Sequence, residues 1–433
     1  MNMFRKALCL STVAGCSVAG LANAAHAAAF YLQEQSVKAA GRAFSGETAD
    51  TGPDSLWWNP AAIGGIERPS AYLGLSAILP KSHVDDSGTL IVRPGQDPAS
   101  VGGDPTARNP IENGFLPSGA VAMPLNDRVA VGLAVTSPYS FTTNYAADSW
   151  ARYTADRTKL RTIDIQPSVA VTVTDWLRIG GAANVEYSDA SLSNKLPNLS
   201  PLLDDGDQRL KGDGWDLGWS AGFQMHNDFI TVGFAYKSSI KHKLKGTVET
   251  SGLLGPLEAS NGTVDTEASF RTPWQASLGA RLRATNRLTL NGQVVRFGWN
   301  KFDAIRLGAP LDAAIPENYR NTWSFAGGAD YQVNPRLTVR AGVQRDQTPT
   351  RNGERDARVP DANRWNYAAG ASYAVSRNFT IDAAASYIDF ENATIDRTTA
   401  AYAGTAAQTP ILVSGELDKA HALVLSIGGR MTF

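Results

Sequence analysis

The chain has 433 residues, with 40 Lys+Arg against 41 Asp+Glu, and only 19% of it is charged. That balance excludes the basic surplus expected of a nucleic-acid binder. Past the N-terminus no apolar run is long enough to cross a bilayer as a helix, and the 40 glycines and 22 prolines spread along the chain argue against a helical bundle.

Residues 1–27 read as a secretory signal. Arg5 and Lys6 form the positive start, Ala7 to Leu21 the apolar stretch, and Ala25-His26-Ala27 a small-x-small cleavage site. Val13-Ala14-Gly15-Cys16 resembles a lipoprotein box, but small apolar residues continue beyond it and the better-placed site lies near Ala27. Both cysteines, Cys9 and Cys16, fall inside this segment, so the exported chain carries no disulfide. The histidines show no ligand spacing. The reading therefore includes no metal and no cofactor.

Residues 28–68 do not alternate. Ser36 to Phe44 places small and polar residues at helical spacing, and Trp57-Trp58-Asn59-Pro60-Ala61 follows. About forty residues cannot bury a core of their own, so this segment must dock on something larger.

From Ser70 onward the pattern has period two. Leu177, Ile179, Gly181, Ala183, Val185 and Tyr187 share one face, with Arg178, Gly180, Ala182, Asn184 and Glu186 on the other. Phe229 to Tyr236 and Leu337 to Gln344 repeat it. Short polar turns fall at Asn126-Asp127, Thr174-Asp175, His226 to Asp228, Ala284 to Asn286, Asn334-Pro335 and Val375 to Asn378. Long stretches lie at 80–118, 138–159, 191–213, 245–264, 307–318, 348–362 and 396–418. Strict alternation of short and long connections joins fourteen strands and brings both termini to the short-turn side. This is the plan of an all-β, fourteen-stranded antiparallel barrel of the bacterial outer membrane over residues 69–433. Only a closed barrel lets β structure span lipid without unpaired backbone. A barrel this wide leaves a channel unless filled, so residues 28–68 read as a plug in the lumen. The last strand alternates through Leu423, Leu425, Ile427 and Met431 to a terminal Phe433, which resembles the signal read by the barrel-assembly machinery.

Several segments resemble the long-chain fatty acid and hydrophobic-compound transporter family of FadL and TodX type. They are Ala29-Phe30, Gly41-Arg42-Ala43-Phe44-Ser45-Gly46, Asn59-Pro60-Ala61, Lys243-Leu244-Lys245-Gly246, Gly298-Trp299-Asn300-Lys301-Phe302, Pro316-Glu317-Asn318-Tyr319 and Val359-Pro360-Asp361. Their order holds over nearly the whole exported chain. The resemblance implies a monomeric barrel with an N-terminal hatch (Gly41, Arg42, Asn59, Pro60, Ala61) that imports hydrophobic compounds passively. It implies a luminal ligand site at Arg306, with Ser137 near a lateral opening at Ser137-Pro138 and Phe30 beside the ligand. The family's second cation falls on Asn194, next to Lys195, which fits a fatty acid or a less charged aromatic hydrocarbon. Leu196, Leu199, Leu202 and Leu203 in one loop and Leu253, Leu254 and Leu257 in the next form either a capture groove or a clamp holding the loops together. Lipopolysaccharide and outer-membrane lipid are the expected surroundings. A general diffusion porin and an outer-membrane lipase are the rivals. The lipase reading rests on Gly218-Trp219-Ser220-Ala221-Gly222, a nucleophile-elbow pattern that needs a strand–turn–helix and here lies within an alternating strand.

Overall fold

The computed structural model describes residues 29–433; the expected signal segment lies outside the described residues. Fourteen strands close one antiparallel barrel. They are β1 (Ser70–Asp86), β2 (Gly114–Pro124), β3 (Val129–Thr136, resuming as Ser140–Asn144), β4 (Arg157–Thr174), β5 (Leu177–Leu196), β6 (Gly206–His226) and β7 (Ile230–Lys237, then Lys241–Ser251). The ring continues with β8 (Gly262–Arg271, then Gln275–Arg283), β9 (Leu288–Phe297), β10 (Thr322–Asn334), β11 (Leu337–Asp346), β12 (Arg364–Ala374), β13 (Phe379–Phe390, then Ala393–Ala401) and β14 (Thr409–Thr432). β14 closes the ring on β1 from Ser70↔Thr432 to Asp86↔Gly415, with a register shift between Lys81 and His83. Closure leaves no backbone edge to lipid, which is the condition for a β structure to sit in hydrocarbon.

The six short turns fall at the expected positions, whereas several expected loops do not. β5 and β6 stay paired from Leu177↔Met225 up to Leu196↔Gly206, so most of 191–213 is strand. Above the membrane both faces of a strand meet polar surroundings, and the period-two signal that marks a lipid-facing strand disappears. Within the membrane the signal is clean: Leu73 and Leu75 on β1 and Leu423, Leu425 and Ile427 on β14 are outward and exposed.

The leading segment lies inside the ring. It has one short helix, α1 (Val37–Ala40), capped by the Ser36 hydroxyl, and single 3-10 turns at Glu47–Ala49, Pro53–Ser55 and Pro60–Ile63. The helical spacing read over Ser36 to Phe44 thus yields one turn; the chain then folds back through Ala43 and Phe44, both at positive φ. Nearly every residue from Ala29 to Ile63 is buried against the barrel wall. Wall glycines make that approach possible. A Cβ at Gly342 would lie 2.1 Å from the Arg42 carbonyl oxygen, and one at Gly180 would lie 2.4 Å from the Pro60 carbonyl carbon.

Charge fixes the same contact. The fully buried Arg42 guanidinium meets Glu47, Asp50 at 2.6 Å and Asp330 of β10 at 3.5 Å. Arg281 of β8 bridges Asp50 and Asp330 at 3.1 and 3.2 Å, and Arg340 of β11 reaches Asp330 at 2.9 Å. Removing one member of such a network leaves an uncompensated buried charge and costs about 3–5 kcal/mol. Asn59 caps the Pro60 turn by accepting from Ala61 N–H at 3.0 Å, while its amide donates to Thr48 and Phe223 carbonyls.

Candidate ligand-binding site

Strand β3 positions the site by failing to run straight. Its ladder to β2 covers Ala130–Val135 against Pro124–Gly119 and stops there. Ser137, Pro138 and Tyr139 separate its two halves, and the upper half, Ser140–Asn144, pairs with β4 alone among the barrel strands. Proline has no N–H to give a ladder and is found at edges and breaks, which is the role Pro138 takes. The leading segment supplies what the break withdraws. Leu32 N–H donates to the Pro138 carbonyl at 2.7 Å, Ser140 N–H donates to the Phe30 carbonyl at 3.1 Å, and Tyr31 forms a bridge with Tyr139.

This contact buries Phe30 in a cage of rings. Trp299 and Phe302 lie 5.1 Å from it, Phe141 5.8 Å and Tyr139 6.0 Å, centroid to centroid. Edge and offset pairs of this kind contribute about 0.5–1.5 kcal/mol each beyond simple burial. Above the cage, Phe30 forms the floor of an apolar cavity walled by Leu160, Leu192, Leu210, Leu244, Phe270 and Ile305. Its volume is about 60 Å³, room for a few waters but not for an acyl chain. A longer molecule therefore enters only when a wall moves, and Phe30, on the leading segment, is the wall not built into a strand or held by a loop.

The polar handle of this cavity is Arg358, in the loop after β11. It lines the greasy wall and donates to Asn194 Oδ1 at 3.2 Å and to the Ser193 carbonyl at 3.4 Å, with no carboxylate within ion-pair distance among the described residues. Burial pushes its guanidinium below the usual arginine range, against the pull of Asp356 and Glu317. Glu317, on the same cavity wall, is buried too, and that burial pushes its carboxyl up to about 8. Asp356 is engaged elsewhere, by Arg397 at 2.9 Å. Lys159 also lines the wall but is paired with Asp189 at 2.9 Å, so Arg358 is the lining cation without a carboxylate partner, beside a carboxyl that burial shifts toward its protonated form. An apolar body with an anionic head fits that arrangement.

The expected site residues divide. Phe30, Asn194 and Ser137 lie at or beside the cavity and the strand break. Arg306 does not: Ile305 points into the cavity, so its neighbour on the strand points out, where Arg306 is half-exposed and paired with Asp303 at 2.5 Å. Lys195 likewise turns away and pairs with Asp207. The sequence offered no direct sign of Arg358, although it immediately precedes Val359-Pro360-Asp361.

The loop leucines divide as well. Leu196, Leu253 and Leu257 form a buried cluster with Leu199 and Tyr402 against it, while Leu202 is 93% exposed and Leu203 and Leu254 remain open. Asn198 ties the two loops, donating to the Asp204 and Gly252 carbonyls and accepting from Leu254 N–H. One set of leucines clamps the loops; the other is presented to the outside.

Ser220 sits in the middle of β6, so the Gly-x-Ser-x-Gly pattern has no strand–turn–helix behind it. His83, without partners in the sequence, meets Asp85 and Asp418 across the β1–β14 seam, with ligand atoms within 4.8 Å of one another and none of the three fully buried.

A family model described as "Outer membrane protein transport protein (OMPP1/FadL/TodX)" matches residues 18–433. The long-chain fatty acid transport protein of Escherichia coli O6:H1 is 25% identical over 89% of this chain and 92% of its own length. Outer membrane protein P1 of Haemophilus influenzae is 24% identical over 85% of this chain and 87% of its own. Among solved structures, a Pseudomonas aeruginosa FadL homologue superposes with a TM-score of 0.82 at 25% identity, covering 94% of this chain and all of that one. The Ralstonia pickettii toluene transporter TbuX shares the fold, with a TM-score of 0.64 at 18% identity over 92% of this chain and 98% of its own.

Proposed function

The chain belongs to the outer-membrane transport protein family of FadL and TodX, and we propose that it carries long-chain fatty acids or similar hydrophobic compounds passively across the bacterial outer membrane. The observation that carries this reading is Arg358, a buried cation without a carboxylate partner in the wall of an apolar cavity. Water offers nothing to an acyl chain, so a greasy path with one charged handle serves it better than an open pore.

In this reading the exposed Leu202, Leu203 and Leu254 collect ligand at the surface, and the cavity receives its chain while Arg358, steadied by Asn194, takes the carboxylate. Residues 28–68 act as the hatch. When the segment bearing Phe30 withdraws, the floor of the cavity is removed and the bonds covering the β3 break are released together, because both are made by residues 30–35. The ligand then leaves sideways at Ser137-Pro138 into lipid. The filled lumen speaks against a general diffusion porin. Ser220's mid-strand position gives no support to a lipase.

A second reading, uptake of aromatic hydrocarbons, draws support from the ring-lined floor of Phe30, Phe141, Phe270 and Phe302. The two part on one experiment. A host lacking its own uptake protein is supplied with this chain and offered radiolabelled oleate or toluene. Oleate uptake that depends on Arg358 supports the fatty acid; toluene uptake indifferent to Arg358, with no oleate uptake, supports the hydrocarbon. Uptake of neither would overturn both.

A further inference from the structure

A second cavity, sharing no lining residue with the one above Phe30, lies on the rim of the barrel where β10, β11, β12 and β13 emerge on the long-loop side. Its volume is about 730 Å³, and its lining is polar. Three guanidinium groups face it, those of Arg320, Arg351 and Arg355. None has a carboxylate within 4.0 Å among the described residues, in contrast to the buried arginines Arg42, Arg340 and Arg364, which are ion-paired. Arg355 is fixed in place: its Nε donates to Thr350 Oγ1 at 3.1 Å and the Asp361 carbonyl at 2.9 Å, and its Nη1 meets Asn352 and the Thr394 carbonyl. Arg320 spends only its Nε, on the Thr348 carbonyl at 3.3 Å, and the Arg351 guanidinium has no partner among the described residues. The single acid in the wall, Glu391, is held by Arg345 and by Asn363 at 2.8 Å. The cavity therefore carries three guanidinium groups without a direct ion pair, with most of the donors on Arg320 and Arg351 unused.

Its height on the barrel is informative. Trp323 and Trp365 follow Arg320 and Asn363 by two or three residues down β10 and β12, and both rings face outward, 40% exposed. Outward aromatics mark the boundary between hydrocarbon and headgroups in barrels of this kind. The arginines thus stand one step above that boundary. We propose that this cavity binds a phosphate monoester carried on a sugar, at the level of the outer-leaflet headgroups. A phosphate carries up to two charges and three strong acceptor oxygens, and guanidinium forks match it in pairs. A lone carboxylate would leave most of the three arginines unanswered, and the volume is ample for a sugar beside the phosphate. The same chemistry is present in a membrane glycolipid head and in a soluble sugar phosphate.

Native mass spectrometry of the detergent-purified full chain separates these. Hexa-acyl lipid A bearing both phosphates, the same lipid enzymatically dephosphorylated, and glucosamine 6-phosphate serve as probes, against the wild type and the double variant Arg320→Gln, Arg351→Gln. Retention of phosphorylated lipid A at least tenfold above both the dephosphorylated lipid and the double variant supports the site and assigns it to membrane glycolipid. Retention of glucosamine 6-phosphate alone, lost in the double variant, supports the site and assigns it to a soluble ester. Equal retention of every probe by wild type and variant overturns the proposal. Heat-resistant electrophoretic mobility of the variant confirms a folded barrel, and unchanged oleate uptake separates this cavity from the transport path.

Discussion

The side-chain amide of Gln35 takes both backbone groups of Ser137. Its Oε1 accepts from the Ser137 N–H at 3.2 Å, and its Nε2 donates to the Ser137 carbonyl at 3.1 Å. One side chain of the leading segment thus stands in for the β2 strand that β3 leaves behind. Replacing Gln35 by Leu keeps the bulk and removes both bonds, each unmet buried group costing about 1–3 kcal/mol. Amide exchange across residues 136–141 should accelerate at least about tenfold, while the rest of the barrel is unaffected. Unchanged exchange would show that the break is held shut by something else.

Arg358→Gln should weaken oleate binding about 10–100-fold, the loss expected of a charge-assisted hydrogen bond worth about 1.5–3 kcal/mol. Binding of an uncharged hydrocarbon such as toluene should be unaffected. Arg306→Gln, which alters an exposed pair with Asp303, should leave both unchanged. Isothermal titration in detergent reads all three, and an equal loss for acid and hydrocarbon would make Arg358 a structural residue only.

Glu317 gives the site a pH limit. Burial raises its carboxyl from the ordinary 4.5 to about 8, so the folded protein holds this proton more tightly than the unfolded chain does. Its contribution to stability is complete below about 4.5 and is lost as pH rises through about 8. The same deprotonation sets a second carboxylate beside Arg358, in competition with the ligand. Oleate affinity should be level between about pH 6 and 7 and fall above about 8, and Glu317→Gln should flatten the curve. A wild-type profile that stays level to pH 9 would refute this.

Gly342→Ala places a methyl group 2.1 Å from the Arg42 carbonyl, so either β11 or the hatch must give way. The hatch, with single-turn helices, is the softer partner. Trypsin should then cut at Lys38 or Arg42 several-fold faster, and planar-bilayer conductance should rise. Gly327→Ala on β10, with open space around its added carbon, is the control that should change neither.

How much of this was legible beforehand follows from what each signal measures. Lipid imposes period two on Leu73 and Leu75 or on Leu423 and Leu425, so strand number and turn positions could be read directly. Above the membrane that constraint lifts, and the upper halves of β5 and β6 passed for loop. Gly180 and Gly342 stood in the sequence as unexplained small residues; their reason is a neighbour more than a hundred positions away. Arg306 was singled out because the resemblance placed a luminal cation there, but one step along a strand reverses which face a side chain takes, and Ile305 holds the inward position. Arg358 could not be chosen among 40 basic residues without knowing that its loop folds inward over Asn194. Pro138 marked the break in β3; that Gln35 would mend it is visible only in three dimensions.

The hatch also ties the two ends of the sequence together. Arg42 is translated long before Asp330 and Gly342, the partners that receive it, so its seat is complete only when β8, β10 and β11 stand side by side. The beginning of the chain and strands far along it thus reach their final state as one unit.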